Sequence, residues 1–513
     1  MQLEKIDYLS LGIVIFIFAL SFARFEYLPQ YTDAYYHLSC AHGLILSGGW
    51  VGWEFWNNAP YGRPYLYPPF YHLILVFLQK LGIDDLNSVK ISEVFIPGAF
   101  FLTLWWCMKK LKNTLFAFIT VLSLSSFFSF YASLSANVSA NLAIIFGLLS
   151  WYFMIKRGKW LSSLIFLIFS FYTHPVIPWL FFTSYLFLLF TKKYRFSVLK
   201  VLTLTIFIFL PFLIHELSYL SFLNINYLKF NFFREVKYFL KFSIFILLLS
   251  LLGIVNIFIR GKNNEIFLIF LGYTISSIIL FCAYPYRLFS AQGALGFCFF
   301  SSLFIETILQ KLMPFQKRAV ISFICVYLLI CHSTIRFKDK KPVLNFLDST
   351  FYHFFKKDMY SLLELRSIFY PSLYLPIIKV IRKNTKFCDI ISSNINIMGE
   401  LFASLSNRPT SNFMLPEVSN FSYPYLGLSK IIIWIKPEDY RLHFFKDRYK
   451  WRLIYENKIA WVFESPNLKF CIVSFEKSKF HFSYIFLVFC IFLFILVRDN
   501  ISKKRKTIKF LKK

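Results

Sequence analysis

Apolar positions in this chain run on without alternation, broken by short polar turns, in stretches close to the ~20 residues a helix needs to cross a bilayer. Such spans fall near 8–24, 91–108, 113–131, 136–155, 160–172, 176–190, 198–215, 239–259, 265–282, 290–310, 319–334 and 483–498. A further apolar piece, 68–82, is short, opens with Pro68 and Pro69, and holds His72, Gln79 and Lys80. It reads as a helix lying on or dipping into the membrane surface. The first span, Tyr8 to Ala23, is followed by no small-residue cleavage site and reads as a retained helix.

Between 335 and 480 the pattern changes. Phe337 to Lys383 mixes aromatic and basic residues and suggests helices over a membrane face. From Phe387, short runs such as DIISS (389–393), IIIWI (431–435), WRLIY (451–455), IAWVF (459–463) and FCIVSF (470–475) read as buried strands. The fourth and third of these, joined by ENK, suggest a hairpin, and GELFASLSN (399–407) a helix. The expected fold is a polytopic α-helical membrane protein of about twelve transmembrane helices, with a small extracytoplasmic α/β domain before the last helix. Its parts are a multi-spanning region 1–334 with a first outer loop 25–90, a polar segment 335–480 holding the α/β domain near 385–476, and a last helix with a basic tail, 481–513.

Charge gives the spans an orientation. Of the 513 residues 58% are hydrophobic, yet the formal net charge is +30. The basic residues sit in KKLK (109–112), KRGK (156–159), TKKYR (191–195), RGK (260–262), QKR (316–318) and the tail, which marks those turns as cytoplasmic. This distribution argues against nucleic acid as a partner. Two spans separate consecutive clusters, so residues 131–136, 173–175, 216–237, 284–287 and 335–480 fall outside. If 68–82 does not cross, both termini are cytoplasmic. No internal repeat of the transporter kind and no midplane charge is visible.

Cysteines add little. Cys388 and Cys471 lie in the polar segment, either as a disulfide or as two separate strand-buried thiols, the second being the reading adopted. No CxxC spacing, zinc-ligand pairing, Ser/His/Asp triad or Gly-rich phosphate loop is present.

Candidate chemistry gathers at the outer ends of spans. Asp33, in YTDAYYH (31–37), is an acid among aromatics at a membrane surface, where charge is costly; it would also cap the helix that follows. His37 lies one turn further on the same face. Tyr67 opens YPPFYH (67–72), and Arg63 sits in PYGRPYLYPP as a loop cation or a phosphate contact. Arg287, in AYPYRLFS, either snorkels or uses its fork of donors on a phosphate. His174 in FYTHPVIPW suits a turn hydrogen bond or a substrate contact, and Glu216 and Glu235 bracket an outer loop.

In their order these features resemble the GT-C membrane glycosyltransferases, and more narrowly the catalytic subunit of oligosaccharyltransferases. TDAYYHLSCAHGLILSGGW matches the family's outer loop with its catalytic Asp, WNNAPYGRPYLYPP (56–69) a later W…YG.R…YP run, and KISEVFIPGAFFLTLWWCMKKLKN the second span and its basic turn. The resemblance implies that Asp33 is catalytic and that Arg287 contacts the donor's phosphate. His37, His174, Arg63 and Tyr67 are then further substrate-binding residues. It also implies a divalent metal, Mg or Mn, held by Asp33 and Glu235, with Glu216 as fallback. Two departures stand out. Asn137 or Asn141, in YASLSANVSAN, occupies a place where the family has an acid, and Asn is a weaker ligand for a hard cation. The family's WWDYG motif, which reads the acceptor peptide, is absent.

The expected function is transfer of a sugar, with inversion, from a polyprenyl-phosphate donor to an extracytoplasmic acceptor (glycan, lipid or protein), in the plasma membrane of a prokaryote. The alternatives are a divergent oligosaccharyltransferase acting on protein asparagine and a non-catalytic protein derived from the same fold.

Overall fold

The computed structural model describes residues 3–23, 28–29, 32–125, 138–219, 246–257, 265–281, 285–288, 291–316, 319–322, 333–338, 341–346, 371–412, 428–436 and 450–466, and the single residues 25, 221, 259, 478, 480 and 481. The helices run α1 Lys5–Ala23, α2 Thr32–Ser47, α3 Phe70–Lys80, α4 Asp85–Leu111, α5 Thr114–Ser125, α6 Val138–Ile155, α7 Trp160–Phe171, α8 Ile177–Leu188 and α9 Arg195–Ser218. They continue as α10 Ile246–Ile257, α11 Glu265–Phe281, α12 Pro285–Leu288, α13 Ala291–Lys311, α14 Pro371–Asn384 and α15 Asn396–Ser406. Among the described residues, α4, α6, α9 and α13 are long and apolar enough to cross a membrane, and α3, α5, α7, α8, α10 and α11 are shorter apolar helices.

Local chemistry explains where several helices begin and how closely they pack. Asp84 caps α4 by accepting from the Asn87 backbone N–H at 2.9 Å. Pro178 sits in the first turn of α8, where its missing N–H is not needed. Small residues let the helices touch: a Cβ on Gly98 would lie 2.3 Å from the Phe18 ring, and one on Gly147 2.4 Å from Phe181. Aromatic stacks such as Phe270 on Phe299, with ring centroids 4.0 Å apart, fill the space between α11 and α13.

One face of the bundle collects the basic turns. Asp7 at the start of α1 pairs with Lys109 at the end of α4 at 2.5 Å and accepts from Trp105 Nε1 at 3.1 Å. Lys112 just beyond α4 pairs with Glu306 near the end of α13, and Lys193 with Glu265 at the start of α11, 3.7 Å away. The start of α1 and the end of α4 therefore share a face, and α3 packs beside α2. The opposite face carries the starts of α2, α6 and α13 and the ends of α7 and α11.

The polar segment differs in part from expectation. Ser333–Lys338 (β4) and Lys341–Phe346 (β5) form an antiparallel hairpin, registered from Ser333 opposite Phe346 to Lys338 opposite Lys341. The hairpin corrects two expectations: Ser333 and Thr334, expected at the end of a span, are strand, and residues 337–338 and 341–346 are strand rather than helix. The period-two alternation of STIRFK is the physical reason. Helix α14 then runs within the stretch expected to be helical. Ile391–Ser393 (β6), Ile431–Ile435 (β7), Arg452–Glu456 (β8) and Ala460–Glu464 (β9) form a sheet in the order β6-β7-β9-β8. β6 and β7 are parallel and the other pairs antiparallel, β8 and β9 as a hairpin across Asn457–Ile459. Helix α15 covers the sheet and ends at Asn407, which turns the chain with φ 56°. Cys388 is disulfide-bonded, which corrects the reading of an unpaired thiol; Cys40, Cys107 and Cys298 are free. Cys471, the last span and the tail lie outside the described residues.

Asn412 ties this sheet to the loop between α2 and α3. Its Oδ1 accepts from Ser393 N at 2.7 Å, its Nδ2 donates to Ser393 O and Asn396 Oδ1, and its carbonyl accepts from Asn58 N at 3.2 Å. Replacing it leaves buried backbone groups unpaired, a loss of roughly 1–3 kcal/mol. Asn412→Ala is expected to lower the thermal midpoint of the purified protein by several degrees; an unchanged midpoint would show that this clamp carries no stability.

Candidate functional site

The loop between α2 and α3 is built as two small ladders. Gly49–Trp50 (β1) pairs with Phe480–His481 (β10), and Trp53–Glu54 (β2) with Arg63–Pro64 (β3). The second ladder sets Glu54 directly opposite Arg63, where opposite charges attract across a strand pair. Both are buried and form an ion pair. Burial pushes the Glu54 carboxyl up while Arg63 pulls it back, and the carboxylate beside it keeps the guanidinium charged. Arg63 also lies over the Tyr36 ring at 5.3 Å. Its charge is matched by Glu54 within the protein.

Above this pair, a line of buried rings leads outward. Tyr65 and His72 are joined through the phenol and Nδ1, and His72 Nε2 lies 2.7 Å from His37 Nδ1. His37 Nε2 is 3.5 Å from Ser139 Oγ, and Ser139 Oγ 2.6 Å from the Tyr67 hydroxyl. The Tyr67 ring meets His37 at 4.9 Å and His174 at 5.9 Å. Burial pushes the His37 imidazole down to about 3 and holds His72 and His174 well below the usual histidine range, so all three are neutral at physiological pH. Arg287 adds to that depression at His174.

Tyr67 is the meeting point. Burial raises its phenol, the Ser139 hydrogen bond opposes this, and the charges of Asp33 and Arg287 act on it in opposite directions. Five residues singled out from sequence, Asp33, His37, Tyr67, His174 and Arg287, therefore gather in one neighbourhood although they span 255 positions. Asp33 sits in the first turn of α2, where a negative charge also suits the helix dipole, and both it and Arg287 are half-buried. Asn141 Oδ1 accepts from Gln292 Nε2 at 3.3 Å, so an amide pair stands where an acid was expected.

Other candidates lie apart. Glu216 ends α9 without an ion pair among the described residues, while Glu235 and Asn137 fall outside them. Among the described residues no group of three or more His, Cys, Asp and Glu could hold a metal ion. His174 Nδ1 accepts from the backbone N–H groups of Val176 and Ile177, so its hydrogen is on Nε2, which is then unable to ligate. Glu235, which the resemblance pairs with Asp33 as a ligand for Mg or Mn, lies outside the described residues.

Three contributors escaped sequence reasoning. His72 was visible only as a polar residue in an apolar helix. Glu54, set in WVGWEFW (50–56), carried the signal that marked Asp33, an acid flanked by aromatics. Glu400 on α15 gave none. It is buried near Glu54 and Arg63, and the Asn57 amide, oriented to donate, reaches its Oε2 at 2.7 Å and Oε1 at 3.1 Å.

No protein-family model matches the chain, and no curated protein matches it in sequence. Its fold is similar to those of solved structures that share little of its sequence. ArnT from Cupriavidus metallidurans in the apo state aligns with a TM-score of 0.57 at 10% identity, over 89% of this chain and 97% of that one. The same protein bound to undecaprenyl phosphate aligns at 0.51 and 10% identity, over 91% and 99%. An Archaeoglobus fulgidus oligosaccharyltransferase in complex with Zn and sulfate aligns at 0.50 and 12% identity, over 82% and 68%.

Burial pushes the Glu400 carboxyl up to about 8 from an ordinary 4.5. A raised folded-state value means its contribution is fully present below about pH 4.5 and is lost as pH rises through about 8. Wild-type protein should therefore lose thermal stability relative to Glu400→Gln between pH 5 and 9, and a pH-independent gap between the two would show that Glu400 is not held neutral.

Proposed function

We propose that this chain is a multi-pass membrane glycosyltransferase that moves a sugar from a polyprenyl-phosphate donor to an acceptor on the extracytoplasmic side. The observation that carries the reading is the meeting of one half-buried carboxylate, Asp33, with one half-buried guanidinium, Arg287, around Tyr67 on the bundle face opposite the basic turns. By the positive-inside rule that face is extracytoplasmic. The likeness to ArnT bound to undecaprenyl phosphate supports a lipid phosphate as the donor's carrier.

The chemistry needs few parts. Asp33 accepts the proton of the acceptor hydroxyl as its oxygen attacks the anomeric carbon from the face opposite the phosphate. The bond between that carbon and the phosphate oxygen breaks, the configuration inverts, and the polyprenyl phosphate leaves with an added negative charge. Arg287 offsets that charge, and fixed donors aimed at a developing anion cost no reorganisation during reaction. Asn141, amide-paired with Gln292, takes no proton, so Asp33 is the base without a second described carboxylate. A simple sugar transferase fits this economy better than transfer of a whole oligosaccharide to asparagine.

Incubating the purified protein with a panel of polyprenyl-phosphate sugars, followed by mass analysis of the released lipid, tests the reading. Asp33→Asn should lower turnover by about 10²–10⁴-fold, the usual worth of a general base, with expression and thermal midpoint preserved. Full activity in that variant sinks the assignment. Asn-x-Ser/Thr glycosylation that requires a divalent metal would instead favour the oligosaccharyltransferase alternative.

A further inference from the structure

From Val94 to His215 the chain contains no Asp or Glu, yet seven Lys and Arg fall between positions 156 and 200. The fold gathers them at one corner of the basic face. Gly158, with φ 58°, reverses the chain after α6, and Lys159 N donates to Phe153 O at 2.9 Å to close that turn. The Tyr194 hydroxyl, from the turn before α9, donates to Ile155 O at 3.2 Å and holds the two basic turns against each other. Lys200, near the start of α9, lies over the Trp160 ring at the start of α7, 5.6 Å from its centroid.

Elsewhere on this face the cations are neutralised within the protein: Lys109 meets Asp7 and Lys112 meets Glu306. At this corner the acid that reaches in, among the described residues, is Glu265 from α11, and it takes Lys193 at 3.7 Å. Lys156, Arg157, Lys192, Arg195 and Lys200 are exposed, with no carboxylate at ion-pair distance among the described residues. Neutral groups hold two of them instead. Arg157 Nε donates to the Tyr152 hydroxyl at 2.8 Å, and Arg195 Nε to Leu189 O at 3.1 Å. Both guanidinium groups are thereby oriented through one nitrogen while keeping their full charge. Phe190 and Phe196, each 78% exposed, flank the 191–195 turn. Exposed rings beside clustered cations suit the boundary between lipid headgroups and acyl chains.

We infer that the paired turns 156–159 and 191–195, with Lys200, form a binding site for the phosphodiester headgroup of an anionic phospholipid. Cations gathered without local carboxylates repel one another, and a phosphate seated among them offsets that repulsion. The forked donors of Arg157 and Arg195 match phosphate oxygens. A lipid rather than a soluble anion is the occupant because the cations end apolar helices and stand beside exposed phenyl rings. The inference needs the membrane reading but not sugar transfer, since this corner lies on the bundle face away from Asp33 and Arg287.

The test offers detergent-purified full-length protein equal amounts of phosphatidylglycerol and phosphatidylcholine and counts the retained lipids by native mass spectrometry. The wild-type protein should retain phosphatidylglycerol preferentially. Arg157→Gln, Lys192→Gln and Arg195→Gln together remove three charges at exposed positions. At about fivefold per cation near an anionic headgroup, less some screening, the preference should fall roughly twenty- to a hundredfold. Lys379→Gln, Lys383→Gln and Lys386→Gln make the same charge change on exposed positions of the polar segment and should leave the preference intact. An unaltered preference in the first variant, equal losses in both, or displacement of the lipid by millimolar inorganic phosphate would each overturn the proposal. The wild-type protein also answers without any variant: equal retention of the two lipids, or a preference indifferent to added salt, contradicts it.

Discussion

Burying a guanidinium against a carboxylate is tolerable only when the geometry is good and the remaining donors and acceptors are met, and removing one partner of such a pair commonly costs about 3–5 kcal/mol. Arg63 and Glu54 accept that constraint together, set face to face by the β2–β3 ladder. The arrangement of the site depends on them. Arg63 supports the Tyr36 ring, and Tyr36 packs against His37, Tyr67 and His72 with centroids 5.4–6.0 Å apart. Glu54 also accepts from the Cys40 thiol at 3.6 Å, which ties the ladder to α2. Glu400 arrives from the polar segment to the same buried spot, so the loop between α2 and α3, α2 itself and α15 are fixed as a unit.

The second constraint is charge. Among the described residues, Tyr67 feels one anion, Asp33, and one cation, Arg287, and neutral hydrogen-bonding groups surround it. Desolvation keeps the three histidines uncharged, so they add no positive charge beside Asp33. The amide pair of Asn141 and Gln292 continues this economy.

Most of the helical architecture was legible because crossing a bilayer imposes length and apolarity, and the basic turns mark one face. The clearest misreading was at 319–346, where an apolar run passes into the alternating pattern of β4. Within the site, Asp33, His37, Tyr67, His174 and Arg287 could be picked out because charge or imidazole at the end of an apolar span has few structural reasons to be there. Arg63 was ambiguous for the same reason: sequence shows a cation in a loop but not the Glu54 opposite it, which only the register of the ladder supplies. Glu400 was invisible because nothing in α15 distinguishes a solvated glutamate from one carried into a distant core. The His72–His37 contact depends on how α3 packs against α2, and no spacing in the chain encodes that.

The account stands or falls on where the donor's lipid phosphate sits. A structure determined with undecaprenyl phosphate bound should place the phosphate within hydrogen-bond reach, about 3 Å, of Arg287, with Asp33 open toward the acceptor side. An undecaprenyl phosphate held only elsewhere, such as near Lys109 on the opposite face, would contradict it.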